Sequence, residues 1–525
     1  MDAVDFDYAP PPTRVGRLLL VPMHIVNLRA VVTIDAVSST ALVDATMAYE
    51  VGAADGNPFF DLRQTVDRCW LDGVPVGPKQ VAARPVGEPG SHSSVRVIRA
   101  RQRARSAHTA RFVYRLGAPM SDLGGAYPPV LSFRPGPRVR WSFGMADLYA
   151  GRYLEAWFPS NLPFDHFPFT LELSITGTGI QHALVTNGSV RATGTNRWSI
   201  RFPAWFTTMS PLVELHAADQ VRTASVAAVL PTSRRAITIS AVKFATGGAN
   251  LAANLPRIVR LLSEQEQRYG EFTGDSYVCL FHGAPGGMEY AHATTTSESA
   301  LRHEVIHSWF ARGLTPASQA DGWWDEGFTS YLDTGERCEP LDFLDPPVEL
   351  CSRRAFQRTT APNSYKDGSR VFRGIAAVVG PDRLLDAMRE LYEARRGTSV
   401  STPALEAHLV ASTGAVTLVD VFHRFVYGLG DQAHSPRLRV EALDVNSVVR
   451  ADAIRVRVRN DGDDACRHYV VVVTTERHEA IAAFAGFELA PGRSRTMSLH
   501  GLRNHTPAAE GRLIASVYAR GFDAG

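Results

Sequence analysis

Residues 303–307 read HEVIH, and Glu326 follows His307 after eighteen intervening residues. Two imidazoles four residues apart on a helix differ by only about 40° around its axis, so His303 and His307 can reach one metal ion. Two histidines and a carboxylate, with a fourth position open for water, are typical ligands of a catalytic zinc ion. Glu304 has the i, i+3 spacing to His307, which lets its carboxylate act on a metal-bound water. The pattern predicts one Zn²⁺ ion bound by His303, His307 and Glu326, with Glu304 as general base.

The surrounding residues predict the helices that would position these side chains. Thr295 and Glu298 have the spacing of a capping box, and Arg312 supplies a C-terminal signal, so we expect a helix of about fourteen residues. Asp321 would cap a second helix that carries Glu326. The residues expected to face inward on the two helices are Leu301, Val305, Ile306, Trp309, Phe328, Tyr331 and Leu332. The alternative is that the two histidines are ordinary core or surface residues of an amphipathic helix.

Four further segments strengthen a resemblance to a known family. The HEXXH motif with a glutamate eighteen residues later is the signature of the gluzincin metallopeptidases of the aminopeptidase N and leukotriene hydrolase type. The chain has HSWF at 307–310, DEGFTSY at 325–331, GGMEY at 286–290 and SYKDG at 364–368. These segments resemble the family's H-x-W-F, N-E-G-F-A-x-Y, G-x-M-E-N and Y-x-K-G. The glycyl aminopeptidase branch, with its G-G-x-E-H variant, is also similar.

The resemblance implies a zinc aminopeptidase that acts on peptides with a free N-terminus. Tyr365 would donate a hydrogen bond to the oxyanion of the tetrahedral intermediate. Glu289 would bind the α-amine of the substrate. Gly286, Gly287 and Met288 would form an edge strand that pairs with the substrate backbone. An ordinary loop tyrosine and a surface carboxylate are the alternative readings of Tyr365 and Glu289.

The chain also departs from the family pattern. Tyr290 replaces the usual asparagine, and only thirteen residues separate Glu289 from His303. His282 and His292 lie near this segment but are left out, because isolated histidines are more often structural than ligands. No large helical domain follows the motifs, so we expect a more open site. An endopeptidase, a dedicated peptide-processing hydrolase and a non-catalytic scaffold that retains the fold therefore remain alternatives.

Length and pattern predict a multidomain α+β protein, because 525 residues exceed what one core organises. Strand-like segments separated by turns predict an all-β domain at 1–215, where the family has a saddle-shaped β domain. Strands followed by helices predict a thermolysin-like zinc catalytic domain at 216–432. The pattern returns to strands at 433–525, which predicts an immunoglobulin-like β-sandwich.

Composition limits which binding partners and which cellular compartment we expect. A net charge of +2 gives no reason to expect nucleic acid or an anionic membrane as a partner. Arginines alternate with uncharged residues from Arg99 to Arg105, which favours the solvated face of a strand or a loop over a polyanion site. No basic N-terminal region and no apolar run of about 18 residues is evident. Five scattered cysteines fit reduced thiols, so we expect a cytoplasmic protein. The oligomeric state is left open.

Overall fold

A computed structural model describes residues 6, 8–86, 93–117, 130–133, 137–352, 354–429, 438–446, 453–463, 465–500 and 513–522. The chain divides into two compact units. The first unit comprises Met1–Gln319, Arg354–Thr360 and Arg396–Ser399. The second unit comprises Ala320–Arg353, Ala361–Arg395 and Val400–Gly525.

The N-terminal part of the first unit is built from strands. Its described residues up to 217 contain seventeen strands and two short 3-10 turns but no α-helix. The strands are β1 Thr13–Val15, β2 Leu18–Val21, β3 Met23–Asp35, β4 Thr40–Val51, β5 Asn57–Phe60, β6 Arg68–Leu71, β7 Val74–Val76, β8 Ala83–Pro85, β9 Ser94–Val97, β10 Ala107–Arg115, β11 Val130–Ser132, β12 Arg140–Ser142, β13 Phe169–Thr176, β14 His182–Thr186, β15 Ser189–Gly194, β16 Arg197–Phe202 and β17 Val213–Ala217. The predicted β-rich N-terminal region is confirmed, whereas its saddle shape stays a prediction.

The largest sheet has eight strands in the order β15-β16-β13-β3-β4-β10-β6-β7. Its long hairpin, β3 and β4, alternates buried with more exposed residues, as a sheet with one face on a core requires. Apolar side chains such as Val32, Val43 and Leu171 are fully buried on that face. The arginines between β9 and β10, from Arg99 to Arg105, are exposed in irregular backbone, so of the predicted solvated strand face or loop the structure has the loop.

A second, mixed sheet completes the framework of the first unit. Its strands are β18 Val221–Val229, β19 Ala236–Phe244, β20 Ser276–Phe281, β21 Gly287–Tyr290 and β22 Ala293–Thr296, and the helices are α1 Leu251–Tyr269 and α2 Leu301–Ile306. The strand order is β18-β19-β20-β22-β21, with β19, β20 and β22 parallel. Helix α1 begins at Leu251, because the Asn250 side chain caps it by accepting a hydrogen bond from the Ala253 amide at 3.2 Å.

The second unit combines helices with two small antiparallel sheets. The helices are α3 Trp323–Asp333, α4 Ser369–Val379, α5 Pro381–Arg395, α6 Thr402–Thr413 and α7 Leu418–Phe425. The strands are β25 Leu438–Asn446, β26 Ala453–Asn460, β27 Cys466–Thr474, β28 Ala480–Leu489, β29 Ser494–His500 and β30 Ile514–Phe522. Two short strands, β23 Thr315–Pro316 and β24 Ser399–Val400, lie earlier in the chain, and all of their residues except Val400 belong to the first unit.

The six C-terminal strands form two three-stranded sheets with a common core. The sheet orders are β25-β26-β29 and β28-β27-β30. Val456 and Val458 from one sheet share a buried cluster with Val471 and Val473 from the other. The two sheets therefore pack on one core, while the immunoglobulin-like β-sandwich domain and the three domain boundaries stay predictions.

Two further features bear on the sequence analysis. All five cysteines are free thiols, and four of them are buried. Among the described residues, no helix combines the length and the apolar character needed to cross a membrane.

A buried ion pair ties strand β30 to the helices of the second unit. Arg520 donates to Glu406 from Nη2 at 2.5 Å and from Nε at 3.1 Å, and the two side chains are at most 1% exposed. Tyr427 donates to the same carboxylate at 2.9 Å. Burial costs both ions their hydration, so the pair is stable only while both partners and their hydrogen bonds are present.

Replacing Arg520 with methionine should lower the free energy of unfolding by about 3–5 kcal/mol, because Glu406 would be left buried and uncompensated. Urea unfolding of the purified protein measures this loss. The matched control is Arg389→Met, because Arg389 forms an exposed i, i+4 pair with Glu393 and its loss should change stability by less than about 0.5 kcal/mol. Equal effects of the two variants would show that the buried pair does not anchor β30.

Candidate metal centre

The HEVIH segment forms a helix that is shorter than predicted. Helix α2 has six residues and no side-chain cap. Thr295 cannot cap it, because Thr295 lies in β22 and pairs with β20 and β21. Glu298 instead accepts hydrogen bonds at the start of α1, from the Asn250 amide and the Asn254 side chain. The predicted capping box and the fourteen-residue helix are therefore wrong, since strand pairing overrides the local pattern.

The helical turn that joins the two histidines is nevertheless present. The His307 amide bonds to the His303 carbonyl at 3.4 Å, and the two imidazole centroids are 4.7 Å apart. Beyond His307 the chain tightens, because the amides of Ser308 and Trp309 bond to carbonyls three residues back. The Nδ1 atom of His307 lies 3.4 Å from the Phe310 carbonyl, and with a proton on Nδ1 the Nε2 atom is left as a metal donor. The structure thus brings His303 and His307 side by side, as their spacing predicts.

Glu304 is buried between its helix and the edge of the mixed sheet. Its side chain is 4% exposed, and the Thr294 hydroxyl lies 3.4 Å from its Oε2 atom. A Cβ atom added at Gly287 would lie 2.4 Å from the Glu304 carboxyl carbon. Gly287 is therefore needed for the carboxylate to approach the strand so closely. Burial raises the pKa of the adjacent Cys279 thiol, and the Glu304 charge acts in the same direction, so this thiol stays protonated and is a poor metal donor.

The segment that contains Glu289 forms an edge strand, as predicted. Strand β21 is the outermost strand of its sheet in the described chain and contains Gly287 and Met288. Gly286 precedes the strand with φ +82°, a conformation that favours glycine. Glu289 is buried, and its Oε1 accepts a hydrogen bond from Arg312 Nη2 at 2.6 Å. Sequence reasoning missed this partner, because it interpreted Arg312 only as a signal for a helix end.

His292 has a structural role near this strand. Its ring contacts the rings of Trp205 and Phe272, with centroids 4.9 Å away in each case, and its Nε2 lies 2.6 Å from the Thr273 hydroxyl. Burial lowers the pKa of His292 to about 3, so it is neutral at physiological pH. Leaving His292 out of the site is consistent with these contacts.

Glu326 lies on the first turn of α3 in the second unit. The predicted Asp321 cap is wrong, because the helix has no side-chain cap and Asp321 Oδ1 accepts from the Thr402 amide at 2.6 Å. Trp323 reinforces this link, since its indole nitrogen donates to the Thr402 hydroxyl at 3.0 Å. Contacts with residues eighty positions away, rather than a local cap, fix the start of the helix. The inward-facing residues Phe328, Tyr331 and Leu332 are buried, as predicted.

Tyr365 lies in a single wide helical turn, Ser364–Gly368, immediately before α4. Its hydroxyl donates to Glu326 Oε1 at 2.6 Å. The turn approaches α3 closely because Gly327 faces Gly368, and a Cβ added at Gly327 would lie 2.8 Å from the Gly368 carbonyl carbon. Two glycines therefore allow the close approach of two segments that each carry a predicted site residue.

The fold resembles those of solved zinc metallopeptidases. An M1 zinc metallopeptidase from Deinococcus radiodurans, crystallised with a Tyr-Ser-Ala substrate, matches with a TM-score of 0.57 and 16% identity, covering 76% of this chain and 93% of that one. Aminopeptidase A from Legionella pneumophila matches with a TM-score of 0.55 and 12% identity over 96% of this chain and 59% of that one. Leukotriene A4 hydrolase from Saccharomyces cerevisiae matches with a TM-score of 0.53 and 14% identity over 79% and 69%.

These likenesses define the class of fold. No protein-family model matches the chain, and no curated protein sequence does. The chain has the fold of the M1 gluzincin metallopeptidases, and the family resemblance of its motifs is confirmed at this level.

Replacing Gly327 with alanine should force the Tyr365 turn away from α3, because the new Cβ would meet backbone rather than a movable side chain. We expect a loss of about 1–3 kcal/mol in unfolding free energy, although alanine has the better helix propensity. Urea unfolding measures the loss, and a crystal structure would show a lengthened Tyr365–Glu326 contact. The matched control is Gly248→Ala, where a Cβ meets no atom within 4 Å. A Gly327→Ala variant more stable than the parent would contradict the close approach.

Proposed function

We propose that this protein is a zinc-dependent aminopeptidase that hydrolyses N-terminal peptide bonds with a metal-activated water. The observation that carries the proposal is the pair of imidazoles, His303 and His307, on one helical turn with a buried Glu304 between them. The M1 metallopeptidase fold supports the same reaction class. The solved relatives include one bound to a tripeptide and one bound to aspartic acid, which supports a peptide substrate for this chain.

The donor chemistry fits a single zinc ion. His303 and His307 each offer an imidazole nitrogen and Glu326 offers a carboxylate oxygen, the set that catalytic zinc sites use with one position left for water. A bound zinc ion supplies Lewis-acid chemistry and lowers the pKa of its water.

Three of the chain's own side chains would carry the reaction. Glu304 takes a proton from the attacking water and passes it to the leaving amine. Tyr365 donates a hydrogen bond to the oxyanion, a contact of a kind worth several kcal/mol. Glu289 binds the α-amine of the substrate, and the edge strand β21, entered through Gly286 and containing Gly287 and Met288, pairs with the substrate backbone. A cytoplasmic location is part of the proposal, since all five cysteines are free.

An endopeptidase or a dedicated processing enzyme is the second candidate. It is favoured by the second unit, whose described residues contain five α-helices and two small sheets rather than a large helical domain. A scaffold without activity is the third candidate. The presence of all three predicted ligands and the predicted base argues against it.

Replacing His303 with asparagine should remove zinc and lower kcat/KM at least about 100-fold, because one of three protein ligands is lost. Metal analysis of the purified protein and hydrolysis of an aminoacyl-fluorophore amide measure the two effects. The matched control, His478→Asn, changes an exposed histidine and should retain both zinc and activity. Normal zinc content in the His303→Asn protein would refute the ligand assignment.

Acetylating the substrate's amine should lower kcat/KM about 10- to 100-fold, because the charge-assisted hydrogen bond to Glu289 would be lost. A panel of aminoacyl-fluorophore amides and their N-acetyl versions, each with and without a chelator, measures this preference. Chelator-sensitive cleavage of free amines alone is the expected result. Equal cleavage of blocked substrates would instead establish the endopeptidase.

A further inference from the structure

The carboxylate of Glu289 is held by a buried arginine. Arg312 Nη2 donates to Glu289 Oε1 at 2.6 Å, and the two side chains are 1% and 6% exposed. Arg312 is itself fixed by backbone, because Nε donates to the Glu289 carbonyl at 3.4 Å and Nη1 donates to the Ala311 carbonyl at 3.0 Å. All three guanidinium nitrogens therefore have acceptors, and the guanidinium group has little freedom to rotate.

The two carboxylate oxygens of Glu289 differ in their contacts. Oε1 of Glu289 is bound to Arg312, whereas Oε2 forms no hydrogen bond within the described part of the chain. A carboxylate so anchored has already lost the rotamer freedom that substrate binding would otherwise remove. We propose that Arg312 is a positioning residue that fixes Glu289 so that Oε2 receives the substrate's α-ammonium group. This inference rests on the proposed aminopeptidase function.

Tyr290, the next residue of the strand, cannot position the Glu289 carboxylate. Successive side chains of a strand point to opposite faces, and Tyr290 packs in the buried cluster of the β-rich part of the first unit. Tyr290 occupies the position where the family pattern has asparagine. Arg312, twenty-three positions along the chain from Glu289, supplies the contact to the carboxylate.

Two electrostatic effects of Arg312 oppose each other. Its positive charge repels an approaching ammonium ion, but it also compensates a carboxylate that is almost fully buried. A buried carboxylate without a partner is strongly unfavourable, so Glu289 would leave its position if Arg312 were removed. The second effect is the larger one, because it decides whether the carboxylate is held in the subsite at all.

The test compares Arg312→Met and Arg312→Lys with the parent on free-amine and N-acetyl substrates. Arg312→Met should raise KM for free amines about tenfold or more and should reduce the preference for free over acetylated substrates by a similar factor. Arg312→Lys should recover part of the preference, because an ammonium group keeps one contact to Glu289. The matched control is Arg103→Met, an exposed arginine whose loss should leave the preference unchanged.

A comparison of a double variant with Glu289→Gln tests the positioning role of Arg312 even if Arg312→Met alone does not fold. The Glu289→Gln, Arg312→Met protein leaves no buried charge of this pair unpaired, so it should fold. Its preference should equal that of Glu289→Gln, because Arg312 acts only through Glu289. A further loss in the double variant would overturn the proposal, and so would an Arg312→Met protein with the parental preference. A parent protein without any preference for free amines would instead refute the proposed function.

Discussion

The close approach of backbone to a neighbouring segment, possible only where a residue lacks Cβ, is the constraint on which the candidate site depends. At Gly287 the missing Cβ leaves space for the Glu304 carboxylate against the edge strand. At Gly327 it lets α3 touch the turn at Gly368 that carries Tyr365. Any larger residue at Gly287 would displace the Glu304 carboxylate, and any larger residue at Gly327 would displace the turn with Tyr365. The chemical effect of such groups depends on their placement within a fraction of an ångström.

Buried ion pairs fix the segments that this backbone framework brings together. Arg312 holds Glu289 in the first unit, and Arg520 holds Glu406 in the second. Such pairs are weak contributors to net stability, because desolvation offsets most of their attraction. They instead favour one arrangement of the segments they join, since a buried carboxylate at these positions is tolerated only when its guanidinium partner is in place. The same principle applies in the β-rich part, where Arg358 contacts Asp61 from nearly three hundred positions away.

Local patterns predicted much of this structure, and their failures have one cause. Strand-like segments separated by turns indicated the β-rich N-terminal region, in which the long strands β3 and β4 alternate buried with more exposed residues. The four-residue spacing placed His303 beside His307 because a single helical turn fixes that geometry. The capping predictions were wrong because Thr295 pairs with strand β20 and Asp321 accepts a hydrogen bond from helix α6, contacts that the local sequence does not indicate. The Arg312–Glu289 pair was missed for the same reason, since no periodicity in sequence connects two residues that meet only through the fold.

The contact between Tyr365 and Glu326 sets a limit on how Tyr365 can act. A phenol has one proton to donate, and here it is donated to Glu326 Oε1 at 2.6 Å. An oxyanion could receive that proton only after the hydroxyl turned away from the carboxylate. The proposed oxyanion role therefore requires Tyr365 to exchange one acceptor for another, and until it does so the present contact holds the phenol beside the Glu326 carboxylate.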